Sequence, residues 1–228
     1  MPTRRSLLRT GGLAGIGTLA AIAALPSPPD ATPIDRTVEG AEPPDRVTRW
    51  SDEPITTEAE TSIARYQYRP MSARVDRTDA DAFVATAPIN VVVLPDPATG
   101  TDGEALEHVM SVLEDEGWLR QPEEYTRYAW DRTEGAFVRQ QATAAETYYG
   151  TSGRLHVRCW SFDGVVSVQA HEDTGARPKH GIASYKRGRK AMAAIYAEAG
   201  WDVSPTAIDL DNARRDYDGM ATVITEAS

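Results

Sequence analysis

Three of the four histidines, the single cysteine and all three lysines of this 228-residue chain lie between Arg154 and Lys190. Within that stretch Asp163-Gly164 separates two β-rich runs, and Asp-Gly is a preferred pair for a two-residue type I′ turn. A hairpin closed there sets His156 opposite His171, Val157 opposite Ala170, Arg158 opposite Gln169 and Cys159 opposite Val168. Side chains alternate along a strand. One face then carries Leu155, Val157, Cys159, Val166, Val168 and Ala170. The other carries His156, Arg158, Trp160, Ser167, Gln169 and His171, with two imidazoles meeting across it. A slip of one residue would scramble both faces, so the pattern supports the register.

Two kinds of chemistry suit these residues. Facing imidazoles can share a metal ion, with His180 as a third ligand and Asp173 or Glu172 as a fourth. No compact metal motif such as H-E-x-x-H accompanies them, Glu172 should point to the other face, and no metal is assigned. A cross-strand histidine pair also occurs as a purely structural contact. The second kind is anion binding. Thr174 to Ala197 contains no acidic residue, in a chain with 34 acidic and 24 basic residues. Arg177, Lys179, Lys186, Arg187, Arg189 and Lys190 lie there, four of them in the first two turns of an expected helix. Cations are unfavourable near a helix N-terminus, whereas free N–H groups and cationic side chains together suit a phosphate, sulfate or anionic head group. Gly181-Ile182-Ala183-Ser184 is not a P-loop, and pairing of the cations with this chain's many acidic groups is the alternative. No G-x-S-x-G elbow is present. Cys159 and His156, three apart on a strand, point to opposite faces and cannot form a nucleophile–base pair. Cys159, alone and on the apolar face, is expected to be a buried structural thiol.

The elements that must position these groups follow from periodicity. Ile63 to Met71 alternates weakly and is expected to be a strand; Ser72 to Ala85 is indecisive. Ile89 to Leu94 is the strongest strand, and its continuous apolar run predicts a central place. Thr101 with Glu104 offers a capping box. Leu106, Val109, Met110 and Leu113 then recur at helical spacing as far as Gly117, with His108 off the stripe and expected in solvent. Glu124 to Trp130 is expected to be a strand and Gly135 to Tyr149 a helix. After the hairpin, Ser184 to Ala199 is expected to be a helix stopped by Gly200, and Met220 to Thr225 a last strand. Trp118 and Trp201 each follow a helix stop and should anchor it. This order predicts an α+β fold: a mainly antiparallel sheet with helices packed on one face, a split βαβ, ferredoxin-like plan being one version.

Thr3-Arg4-Arg5-Ser6-Leu7-Leu8 has the form of a twin-arginine signal. Gly11 to Leu25 is the modest apolar stretch behind it, shorter than the roughly 20 residues a spanning helix needs. Pro26 to about Ser51 is rich in proline and acid and reads as a tether. The expected organisation is a signal segment over 1–25, a linker over 26–60 and one domain over 61–228. Net charge is −10. Only three of the basic residues are lysine, a balance that fits a chain kept soluble at high salt. General nucleic-acid binding needs a basic footprint and is not expected.

Pro88-Ile89-Asn90-Val91-Val92, Gly117-Trp118, Arg154 to Trp160, Ala170-His171-Glu172-Asp173 and His180 occur in an order and context that resembles the LssY C-terminal-like domain family. The likeness covers about Ala87 to Trp201, and its most specific part is the H-V-R-x-W strand with a histidine after the hairpin. The resemblance implies an extracytoplasmic accessory domain, attached to or near membrane proteins, some of them lipid phosphatases. It carries over no catalytic residues. After His180 the family tends to show a histidine pair and acidic residues, whereas this chain runs Gly181 to Arg187 without either.

The expected function is therefore that of an exported, extracellular or surface-tethered domain. It binds an anionic small ligand, a lipid head group or a membrane-protein partner through His156, Arg158, His171, Lys179, His180, Lys186 and Arg187. The alternative is a metal-dependent, phosphoester-type hydrolase using the same histidines. No cofactor is assigned.

Overall fold

The computed structural model describes residues 63–120, 125–148, 153–175 and 181–227. The chain divides into two units, residues 1–33 and 34–228, and all described residues belong to the second. The expected signal segment and the whole expected linker lie outside the described residues, as do Arg177, Lys179 and His180. No helix of the described residues is long and apolar enough to cross a membrane.

The fold is α+β and mostly sheet, with two helices among the described residues. A large sheet is built from β3 (Val91–Leu94), β4 (Leu119–Arg120), β7 (Ala142–Ala145), β8 (Leu155–Phe162), β9 (Val165–Asp173), β11 (Asp202–Val203) and β13 (Met220–Thr225). Its order is β11-β13-β3-β9-β8-β7-β4, with β10 (Ile182–Ser184) paired to β9 and β12 (Ile208–Asp209) to β13. Every pair is antiparallel except β13 with β3. A smaller antiparallel sheet has the order β2-β1-β5-β6, from β1 (Tyr66–Pro70), β2 (Phe83–Pro88), β5 (Tyr128–Asp131) and β6 (Ala136–Arg139). The helices are α1 (Asp102–Asp115) and α2 (Tyr185–Glu198).

Strand β3 shows why the large sheet is dry on both sides. Val91 and Val93 join a cluster with Leu106, Val109, Met110 and Leu113 of α1, Met192 and Tyr196 of α2, and Val157, Cys159, Val166 and Val168 of the hairpin. Val92 and Leu94 join a second cluster with Trp160, Phe162, Ile208, Leu210 and, from the smaller sheet, Ala129. A strand covered twice reads as an unbroken apolar run, as Val91 to Leu94 does. The capping box forms: Glu104 N donates to Thr101 Oγ1, and Thr101 N donates to Glu104 Oε2. Trp118 and Trp201 pack into the first cluster behind the two helix stops, as expected.

Several expectations give way. The helix expected over Gly135 to Tyr149 is two strands, β6 and β7. Pairing of β6 with β5 and of β7 with β8 overrides the helical preference of its alanines. Phe137 meanwhile stacks on Phe83 with ring centroids 4.0 Å apart. The strand expected over Glu124 to Trp130 begins only at Tyr128. His108 is not left to solvent: its Nε2 lies 2.8 Å from Glu226 Oε1, and its ring rests against Trp201.

Candidate functional site

The hairpin forms as its turn dictates. Asp163 (φ 50°) and Gly164 (φ 73°) both occupy the left-handed region that a type I′ turn requires. Gly164 N and Ser161 Oγ donate to Asp102 Oδ1 at the start of α1, which ties the turn to the helix. The register then places His156 opposite His171, Val157 opposite Ala170, Arg158 opposite Gln169 and Cys159 opposite Val168. Cys159 is fully buried, and burial pushes its thiol up to about 12, slightly opposed by the Arg120 charge. It is inert at neutral pH.

The opposite, polar face is buried too: His156 and Arg158 are 5 % exposed, His171 1 % and Gln169 not at all. Its far end, at Trp160, is sealed by the second apolar cluster, where the indole donates to Val138 O. At its near end the two imidazoles meet edge to face, with centroids 5.2 Å apart and planes at 81°. The pairing continues one step beyond them. Asp173 N donates to Arg154 O and Gly153 N to Asp173 O, so Arg154 and Asp173 extend the same face. Arg154 Nε donates to Asp173 Oδ2 at 2.7 Å, and both side chains are essentially buried.

His171 sits between two oxygens. Nδ1 is 3.1 Å from Gln169 Oε1, and Nε2 is 3.0 Å from Asp173 Oδ1. A neutral imidazole has only one N–H to donate. The pair is satisfied by a cationic ring, or by a neutral ring with the Gln169 amide turned over to present Nε2, which otherwise has no hydrogen-bond partner. Arg158 NH1 reaches Gln169 Oε1 at a long 3.4 Å. Burial acts to raise the Asp173 carboxyl. The hydrogen bond and charge of His171, then those of Arg154, outweigh burial and hold it below the ordinary value of 3.8.

Two contacts fix this end of β9. Asn90, fully buried, receives Ala170 N on Oδ1 at 2.8 Å and donates Nδ2 to Ala170 O and to Tyr185 O, joining β3, β9 and the first residue of α2. Gly188 lets α2 rest on the strand backbone: a Cβ there would come within 2.4 Å of His171 N. Tyr185, the first residue of α2, is buried close enough to feel the Arg158 charge. Burial and then Asp216 push its phenol up to about 12, against the smaller opposing effects of Arg214 and Arg158.

Of the seven residues singled out in the sequence, the structure brings three together on one buried face: His156, Arg158 and His171. Arg187 pairs instead with Glu172, NH1 to Oε1 at 2.7 Å, and Glu172 alternates to the other face of β9 from His171. Lys186 is exposed. Lys179 and His180 lie outside the described residues. Part of the basic island is also occupied, since Arg189 forks onto both Asp218 carboxylate oxygens. The members that sequence reasoning left out of the site are Arg154 and Gln169; Asp173 entered only as a candidate fourth metal ligand. Extending the same cross-strand pairing by one step would have placed Arg154 against Asp173. Three of the group, His156, His171 and Asp173, each offer a ligand atom within 4.8 Å of the others. Compared with models of known protein families, with curated proteins and with solved structures, the chain matches none.

Proposed function

We propose that this chain is an exported accessory domain of the LssY C-terminal-like kind, which holds a small oxyanion, as a free ion or as a membrane-associated head group, on the buried polar face of its hairpin. The observation that carries this reading is a convergence of donors. Arg154, Arg158, His156 and His171 gather on one buried face together with the side-chain amide of Gln169, whose Nε2 is buried without a hydrogen-bond partner. A phosphate or sulfate accepts several hydrogen bonds at once, and guanidinium and imidazolium donors bind it through short charge-assisted ones. Export rests on the Arg4-Arg5 segment and the acidic tether. A net charge of −10 argues against nucleic acid as the partner. The order β3-α1-β8-β9-α2-β13, with the spatial order β13-β3-β9-β8, supports a split βαβ arrangement, as does the apolar cluster shared by α1 and α2. The parallel β13–β3 pair departs from a strictly antiparallel ferredoxin-like sheet.

The alternative, a metal-dependent phosphoester hydrolase, is favoured by the convergence of His156, His171 and Asp173. Calorimetric titration of the full chain with inorganic phosphate, in buffer containing a chelator, separates the two readings. The accessory-domain reading expects saturable one-to-one binding without metal, lost in Arg158→Gln. Absence of phosphate binding by the chelated wild type, together with metal-dependent hydrolysis of a phosphoester, supports the alternative.

A further inference from the structure

Beyond anion binding, and without resting on it, the geometry points to a site for one divalent first-row transition ion at His156, His171 and Asp173. The local hydrogen bonds supply the argument. His171 Nε2 and Asp173 Oδ1 lie 3.0 Å apart and share a proton, with Gln169 at the other nitrogen of the ring. With His156 also offering a ligand atom within 4.8 Å of both, an ion can take the place of that proton. Both supporting contacts are of the kind that orient metal ligands. A carbonyl oxygen holds the remote nitrogen of His171, and Arg154 holds the remote oxygen of Asp173 at 2.7 Å.

The separations fit an ion as well. At metal–ligand bonds of about 2.1 Å, two donor atoms 3.0 Å apart subtend an angle of about 90°. That is the angle between neighbouring ligands of an octahedral ion, and it is too narrow for a tetrahedral structural zinc. Two imidazoles and one carboxylate on one side of an octahedron leave the remaining positions open, as in facial-triad iron sites. His156 is already within 4.8 Å of both partners, so a shift of its ring of under about 2 Å completes the set. Arg158, on the same face, is then placed to meet an anion bound at an open position.

The probe is Co2+ added to the chelator-treated full chain, read by its visible absorption and by equilibrium dialysis, with folding of each variant checked by circular dichroism. The expected result is one equivalent of Co2+ per chain, with a spectrum showing nitrogen and oxygen ligands and no thiolate band from Cys159. His156→Gln and Asp173→Asn should abolish it while remaining folded. Gln169→Leu, which removes the support of His171 and a long contact to Arg158 but no ligand atom, should weaken it by about 10–100-fold. If Asp173→Asn does not stay folded, His156→Gln and Gln169→Leu carry the test. No Co2+ bound by the wild type, or binding that survives His156→Gln, would overturn the inference. Phosphate binding by the chelated protein has no bearing on either outcome, so the anion site and the metal site fail separately.

Discussion

On one face of the β8–β9 hairpin Val157, Cys159, Val166 and Val168 are fully buried; on the other, His156, Arg158, Gln169 and His171 keep at most 5 % of their surface exposed. The two faces are equally dry and chemically opposite. Burying the first is favourable by about 25 cal/mol per Å² of apolar surface. Burying the second gains nothing of the kind, and well-packed apolar residues would serve stability as well or better. Packing alone would not select two guanidinium groups and two imidazoles there. That asymmetry is the ground for placing the proposed site on the polar face, and it leaves Cys159 a packing residue.

The largest test of this contrast is Asp173→Ala. It removes the carboxylate that Arg154 Nε donates to, in a site where both side chains are about 98 % covered, and should cost about 3–5 kcal/mol in urea unfolding. Val168→Ala on the apolar face should cost only about 2 kcal/mol, the transfer of its lost carbons plus a small cavity. Replacing both charged partners, Arg154→Met with Asp173→Leu, strands only His171 Nε2 and should cost less than Asp173→Ala while abolishing anion binding. A large loss of stability in that double variant would mean that the ion pair is there for the fold.

Asp173 also gives the polar face a pH signature that the apolar face lacks. Its carboxyl titrates lower in the folded chain than the ordinary 3.8. Its contribution is therefore fully present above 3.8 and is lost as pH falls below that value toward the folded pKa. Urea midpoints between pH 5 and pH 2 (about one unit above the ordinary value to about two below) should fall less steeply in Asp173→Asn than in the wild type.

Gly188→Ala tests how both faces are held. The new Cβ would collide with the backbone at Ala170 and His171, and should cost about 1–3 kcal/mol by lifting α2 off β9. It should also weaken ligand binding, although Gly188 carries no side chain to contribute. The smallest effect belongs to Arg187→Ala. Its ion pair with Glu172 is more than half exposed at the arginine, so the loss should stay under about 1 kcal/mol in thermal unfolding.

Particular residues show what the sequence could disclose. Asp163-Gly164 defines the turn, the turn defines the register, and the register brings His156 to His171. Each step is local chemistry and each was legible. Strand β3 and helix α1 were legible for the same reason, through a long apolar run and a capped 3.6-residue stripe. Burial of the polar face was not legible, because alternation says which residues share a face and not whether a second layer covers it. Trp160, on that face among polar neighbours, was the hint: it packs with Ile208, Leu210 and Ala129. The alanine-rich segment from 136 to 145 misled because alanine favours helix locally, while its pairing with β5 and β8 is long-range. Two-residue strands such as β11 and β12 carry no period to detect.

The central claim, that the buried polar face receives an oxyanion, is tested most directly by anomalous diffraction from crystals of the full chain grown with selenate. The account predicts an anomalous peak within hydrogen-bonding distance of Arg158 in the wild type, and its loss in Arg158→Gln. Selenate found only over the exposed Lys186 and Lys190 side chains, with nothing beside Arg158, would contradict it.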